Sequence, residues 1–271
     1  MKIKIIQKLI DILRGKRFFN FVGKNNKIII PDKCKFNLIK LFAFSRIEIK
    51  GDNNMIIFRG EFKLKNYFNI LLNLDLKIKG NDNTIDIEFP ITFRKALINI
   101  KKNQNTFKIK STKYVVRDAQ FHIADGGTIN IGNDSQLGNG NLYAVVAQDL
   151  ENKHKLVMGD NVFVARDAII RTCDGHTVVD PVTKKALNAP QDIIIGNNVW
   201  ITSRCTILKG SQIQNNTIVG ANSLVNKKFQ EENIVIAGSP AKIIKKNICW
   251  DPRHFDIYTN EQQEANYETR K

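Results

Sequence analysis

The sequence predicts a parallel β-helix, a solenoid in which three short strands make up each coil, and three observations predict it. Aliphatic residues stand at Ile195, Ile201, Ile207, Ile213, Val219 and Val225, every sixth position without a miss. Four residues after each of the first five comes a small or β-branched residue: Val199, Cys205, Ser211, Thr217 and Ser223. Asparagine and glycine punctuate the intervals, as in Gly196-Asn197-Asn198 and Asn215-Asn216, and both tolerate the left-handed backbone angles of tight corners.

A period of six fits neither a helix, at 3.6 residues per turn, nor a flat strand, which alternates at 2. It fits a chain that turns after each short strand, with the aliphatic pointing inward and the small residue set where the prism is narrow. Successive coils then stack as parallel strands about 4.8 Å apart. The register continues upstream at Met158, Val164 and Ile170, with Val162 and Ala168 at the small positions, and in weaker form at Ile131, Leu137 and Tyr143. A loop over roughly 175–191 interrupts the two blocks. Short strands joined by turn residues also describe a sandwich or barrel, but six uninterrupted matches at period six argue against both.

A looser repeat fills the N-terminal half. GKNNKIII (23–30), GDNNMIIF (51–58), GNDNTIDI (80–87) and KNQNTFKI (102–109) align at offsets of 28, 29 and 22 residues, and three of them follow an alternating IEIK, LKIK or INIK. Offsets that are not multiples of six predict irregular coils with insertions, continuous with the regular ones; a separate small β domain is the alternative. The expected organisation is an amphipathic helix over 1–20, irregular solenoid coils over 21–111, the hexapeptide-repeat β-helix with the active site over 112–239, and a short helix and tail over 240–271. In the first of these, Ile5, Ile6, Leu9, Ile10 and Leu13 keep helical spacing while Lys4, Lys8, Asp11 and Arg14 break every apolar run. That excludes a secretory signal core and a membrane span. Such a helix either makes peripheral contact with the anionic inner membrane surface or packs on its own domain.

A formal charge of +16 and a pI near 9.7 mean that the surface attracts anions: nucleic acid, lipid, an acidic polysaccharide or a phosphorylated cofactor. Charge alone does not choose among them, and many lysines beside isoleucine and asparagine, as in Lys2 to Lys8, also fit a coding bias toward AT-rich codons. No helix-turn-helix, RRM-like or zinc pattern accompanies the charge, so no nucleic-acid partner is expected. The four cysteines, Cys34, Cys173, Cys205 and Cys249, lie far apart without a CxxC pair. Neither a disulfide framework nor a metal is expected, and a reducing cytoplasm fits.

The segment DGH at 174–176, the loop after it, IGNNVWI at 195–201, the hexapeptides and AGSPAKIIKK at 237–246 together resemble the hexapeptide-repeat acetyltransferases. Among them the chain is most similar to bacterial capsular and surface-polysaccharide O-acetyltransferases, sialic acid modifiers included, over residues 128–248. The resemblance implies a left-handed β-helix, an obligate homotrimer with active sites in the clefts between subunits, acetyl-CoA as co-substrate, and a sugar or polysaccharide hydroxyl as acceptor. Two other readings stay open: an N-acetyltransferase acting on an amino sugar, and a noncatalytic β-helical scaffold that binds an anionic polymer.

A hydroxyl is a poor nucleophile at neutral pH, so acetyl transfer from a thioester needs a base within hydrogen-bonding distance, and histidine is the natural one. Of His122, His154, His176 and His254, only His176 ends a coil where the long loop leaves the prism, and it matches the family's catalytic position. Trp200, 24 residues on, matches a tryptophan that lies by that histidine and shapes the acceptor site; packing in the trimer is the alternative. For CoA the resemblance points to the backbone of Ser203 and Ala221, to Asn226 and Lys227 where the family usually carries Thr-Lys, and to Lys242 and Lys245 near the phosphates. The spacing of the last two predicts one side of a short helix beginning after Pro240, or else a solvated basic tail. Asp174 either sets the imidazole tautomer or faces solvent. Cys173 and Cys205 are candidate nucleophiles by chemistry, although Cys205 holds a small-residue position where inward packing explains it.

Overall fold

The computed structural model describes residues 19–30, 45–60, 74–147, 150–253 and 255–259. The expected N-terminal helix lies outside the described residues up to residue 18, and Phe19–Val22 is already a strand. The polar tail beyond residue 259 likewise lies outside them.

The hexads fold as three-sided coils. Strands Ile193–Ile195, Trp200–Ile201, Thr206–Ile207 and Gln212–Ile213 follow one another around the prism, and Thr206–Ile207 pairs in parallel with Leu224–Val225, one full coil later. The six aliphatics and the five small residues of this block are each at most 1% exposed. Small polar residues are tolerated inside because the corner carbonyls accept their protons. The Ser211 hydroxyl donates to the Leu208 and Val225 oxygens at 2.6 and 3.0 Å, which removes the cost of burying an unpaired hydroxyl.

Three parallel sheets form the prism. Face A has nine strands, from Phe19–Val22 to Leu224–Val225; face B has eight, from Lys27–Ile29 to Gln212–Ile213; face C has six, from Gln136–Leu137 to Ala241–Lys246. A two-stranded parallel pair, Thr92–Arg94 with Val115–Arg117, takes the third position in two earlier coils. Faces A and B both run unbroken across residue 112.

The looser N-terminal repeat is a coil repeat. Lys27, Met55, Thr84 and Thr106 stand in one register column of face B, and the preceding strands Arg46–Lys50, Asp75–Lys79 and Leu97–Lys101 pair on face A. At the corner between these faces the backbones nearly touch. Gly51 adopts φ +132°, and a Cβ there would sit 2.1 Å from the Gly80 carbonyl oxygen, so only glycine fits. Inside the same corner Asn54, Asn83 and Asn105, all fully buried, form a ladder. Asn83 donates to Asn54 Oδ1 at 2.8 Å and to the Lys102 oxygen at 3.0 Å, and its own Oδ1 accepts the backbone and side-chain N–H of Asn105 at 2.9 and 2.8 Å.

The helix expected after Pro240 is instead a strand. Ala241–Lys246 turns back antiparallel onto Ile234–Gly238, closing face C, and a helical turn comes later, at 255–259. Pairing with the last coil satisfies the backbone where a helix six residues long would be marginal by itself.

Asn83→Ala removes four buried hydrogen bonds at once, and leaving such groups unpaired costs about 1–3 kcal/mol each when nothing replaces them. Partial relaxation leaves an expected loss near 3 kcal/mol in urea unfolding, against about 0.5 kcal/mol or less for the exposed Lys108→Ala on the neighbouring strand.

Candidate active site

Face A is left at strand Ile169–Arg171 and face B resumes at Ile193–Ile195; the residues between them leave the prism as a loop. Its tip is closed locally. Asp180 Oδ1 accepts the amides of Val182 and Thr183 at 2.8 and 2.6 Å, and Val179 bridges Ala186. Asn188 ties its base. The Nδ2 of Asn188 donates to Asp174 Oδ2 and to the His176 carbonyl oxygen, both at 2.8 Å, while its Oδ1 accepts the Val178 amide at 2.7 Å. Lys209, from the next coil, pairs with Asp174 and donates to the Asn188 oxygen at 2.8 Å. The Lys209 hydrogen bond first, and Asn188 second, hold the Asp174 carboxyl below its ordinary range.

Asp174 is therefore a brace, and neither the partner of the imidazole nor a free surface carboxylate. What it holds in place is the DGH corner, where Gly175 adopts φ +87°. His176 is exposed there, with no hydrogen bond from its imidazole to the described residues, and lines an open cleft of about 360 Å³ with Val146, Cys173, Thr177, Asn188 and Pro190. A histidine free at both ring nitrogens can accept a proton at one of them, which is what a general base requires.

The remaining predicted residues lie elsewhere on the prism. Trp200 faces outward on face C, stacked on Phe163 with ring centroids 6.2 Å apart and covered by Trp250 at 5.8 Å. Trp250 Nε1 donates to the Asn198 oxygen at 2.7 Å, whereas the buried Trp200 Nε1 finds no acceptor among the described residues. Ser203 and Ala221 occupy the corner between faces C and A on successive coils, with the Asn222 amide donating to the Ser203 oxygen. Asn226 and Lys227 follow Leu224–Val225 at the corner between A and B, the corner that carries His176. Lys242 stands opposite Ala237 and Lys245 opposite Val235; Ile244 between them is the extra residue of a bulge. The bulge returns the two lysines to one exposed side, the arrangement expected of a helix but reached by a strand. A single chain thus gathers His176, Asn226 and Lys227 along one corner and leaves Trp200, Ser203, Ala221, Lys242 and Lys245 apart from the cleft.

Among the other candidates, His122 contacts Asn99 and Gln120, and His154 contacts Asp192, each at 3.3 Å; His254 lies outside the described residues. The Cys205 thiol is fully buried, donates to the Gly220 oxygen at 3.2 Å, and has its pKa raised by that burial, which disfavours the reactive thiolate. Asn188, Lys209 and Trp250 were not marked by the sequence. Lys209 acts on Asp174 across 35 residues, a contact that no local spacing signals.

Residues 192–227 match the family described as bacterial transferase hexapeptide (six repeats). A polysialic acid O-acetyltransferase of Escherichia coli O1:K1 is 34% identical over 46% of this chain and 38% of its own length. Another, of Neisseria meningitidis, is 29% identical over 89% of this chain and 93% of its own. The chain thus carries a hexapeptide-repeat segment and is similar to polysialic acid O-acetyltransferases. It spans less than two thirds of the first relatives it matches, 38% and, for the galactoside O-acetyltransferase of Escherichia coli K12, 55%. Among solved structures, the polySia-specific acetyltransferase NeuO superposes with TM-score 0.66 at 22% identity over 93% of this chain and 97% of its own. The polysialic acid O-acetyltransferase OatWY does so with 0.56 at 25% over 88% and 93%. The fold is the left-handed parallel β-helix of these neighbours.

Because the folded Asp174 pKa lies below its unfolded value, the brace stabilises the loop above the ordinary carboxylate range, and that contribution disappears as pH falls through the folded value. In Lys209→Met the Asp174 titration followed by NMR is expected to move back up toward the ordinary range. Trypsin is expected to cut at Lys184 or Lys185 several-fold faster at pH 7.

Proposed function

We propose that this protein is an O-acetyltransferase that moves acetyl from acetyl-CoA to a hydroxyl of a bacterial surface glycan, with His176 as the base. The observation that carries the reading is the DGH corner. The fold spends a cross-coil clamp of Asp174, Asn188 and Lys209 on holding one exposed imidazole, itself unpaired, at the mouth of a cleft. Similarity to two polysialic acid O-acetyltransferases, one along 93% of its length, supports the reaction class and favours oxygen over nitrogen as the acceptor atom.

In the proposed reaction a ring nitrogen of His176 takes the proton of the acceptor hydroxyl as its oxygen attacks the thioester carbonyl. Backbone N–H groups at the corner stabilise the tetrahedral oxyanion. The C–S bond then breaks, and His176⁺ returns its proton to the CoA thiolate. Ester and thiol leave, the base is regenerated, and no acyl-enzyme forms.

On a single prism the cleft is open to solvent. A homotrimer would close it, bringing the corner with Ser203 and Ala221, and the face that carries Trp200, against a neighbour's His176. In that arrangement Asn226 and Lys227 would meet the pantetheine end. Lys242 and Lys245, exposed on one side of their strand, would meet the phosphates, a fit of cations to a polyanion. Among the described residues no helix is long and apolar enough to cross a membrane, and a cytoplasmic site, where acetyl-CoA is made, is part of the proposal.

Free thiol release from acetyl-CoA in the presence of capsular polysaccharide tests the reading. His176→Ala is expected to lower kcat by roughly 10²–10⁴-fold with CoA affinity kept. Acceptor-dependent turnover unchanged by the substitution, or an active monomer by light scattering, would overturn it.

A further inference from the structure

The register of face A stacks three lysines in single file. Lys50 stands opposite Lys79 and Lys79 opposite Lys101, and the same column continues through Ala124 to Val146, which lines the His176 cleft. Each is the last residue of its strand and points away from the core, exposed at the corner between faces A and B. This is the corner at which His176 sits several coils on. With neighbouring strands about 4.8 Å apart, the column runs some 19 Å from Lys50 to the cleft wall at Val146.

Like charges directly opposite one another on adjacent strands destabilise a sheet, and elsewhere some outward cations of this chain are paired with a carboxylate one coil away. Arg59 reaches across one coil to Asp86 at 2.9 Å, and Lys102 reaches across one coil to Asp125 at 2.7 Å. On the column itself Lys50 leans back to Glu48 on its own strand, but Lys79 and Lys101 have no ion-pair partner among the described residues. Their fields are felt by the groups beside them. Lys79 adds to the lowering of the Glu48 pKa that the Lys50 hydrogen bond begins, and Lys101 adds to the burial that lowers His122. The corner beneath is the one fixed by the buried asparagine ladder, so the backbone positions of the three lysines are held at the inter-strand spacing.

We infer that Lys50, Lys79 and Lys101 form a binding track for a linear, carboxylate-bearing polysaccharide and feed it along the corner toward His176. This rests on the proposed acetyl transfer to a glycan and adds the surface that would hold it: the polymer must be long enough to span from the cleft to the third lysine. A single-file row on a convex edge matches a linear polyanion. A membrane would need a plane of charge where the column is a single file, and a single-stranded nucleic acid would need exposed aromatics along the row for its bases, which the column lacks; duplex DNA, held through its phosphates, is separated from the glycan by the test.

The test is direct binding, read without catalysis. Polysialic acid is titrated against the full chain and against the triple variant Lys50→Glu, Lys79→Glu, Lys101→Glu, with polysialic acid whose carboxylates have been reduced as the neutral control. The milder Lys79→Gln, Lys101→Gln pair guards against a folding defect, and CoA affinity reports the integrity of the rest. Expected are a Kd weakened about tenfold or more in the triple variant, a smaller loss in the glutamine pair, a shallower salt dependence in both, and no binding of the neutral polymer. In the acetylation assay KM for the polymer is expected to rise in both variants while kcat on a short acceptor holds. Equal binding by wild type and triple variant overturns the track even if acetylation is established. Loss of duplex DNA or anionic vesicle binding in parallel with the glycan overturns the assignment to a glycan. Binding that depends on the lysines without any acetylation would leave the track standing and sink the transferase reading instead.

Discussion

Everything in this molecule depends on one constraint: each coil must lay its residues directly over those of the coil before. In a parallel, in-register solenoid the backbone hydrogen bonds run along the axis, and a residue has as its nearest neighbours its own counterparts one rung up and down. Aliphatics stacked on aliphatics make the core continuous, and glycine over glycine lets the Gly51 and Gly80 corners approach until no Cβ fits between them. A buried amide is acceptable only if its rung-mates are amides as well. Asn83 is satisfied because Asn54 and Asn105 lie on either side. A coil can lengthen at its corners, but it cannot shift its register without misplacing every stacked pair at once.

That constraint also decides what the sequence could reveal. Where strands are two residues long and corners uniform, the stacked columns appear as a strict hexad, so the core of Ile195 to Val225 was legible residue by residue. In the N-terminal coils the same stacking is present, but segments between faces vary in length, and the repeat survives only as four similar octapeptides at unequal offsets. The segment after Pro240 was misread for a physical reason. Two lysines three apart look like one helical face, and a strand with a bulge at Ile244 produces the same exposure pattern. What chose the strand is pairing with Ile234–Gly238, a contact that the local pattern does not contain.

The candidate site divides along the same line. The position of His176 at a corner was legible because a corner motif and an interrupted repeat mark where the chain leaves the prism. Its support was not, because Lys209 reaches Asp174 from the following coil, and residues stacked one coil apart carry no sequence signature of their contact once a loop lengthens the interval. Asp174 accordingly changes meaning between sequence and structure: two residues from an imidazole it suggests a catalytic partner or a solvent-facing turn, yet its hydrogen bonds go to the loop and to the next coil. The prism explains why Trp200 lies apart as well. Successive faces turn their outward residues away from one another, so no single chain can bring a face C tryptophan to a corner between faces A and B. The Trp200 indole N–H, buried beneath Phe163 and Trp250, has no acceptor among the described residues.

Stacking like over like is harmless for isoleucine and favourable for asparagine, but for lysine it is a cost that recurs at every rung. Some outward cations elsewhere in the chain are paired. On face B and at the neighbouring corner, a cation meets a carboxylate one coil away, Arg59 with Asp86 and Lys102 with Asp125, and the stacking constraint becomes an attraction. One residue before Lys102, the column of Lys50, Lys79 and Lys101 has no such cross-coil partner, although a single Asp or Glu at any of those positions would have relieved it. An excess of lysine from codon bias alone would scatter across outward positions. It would not set three lysines in one register column, two of them without an ion pair among the described residues, and the column concerned is the one whose line ends at the cleft of His176.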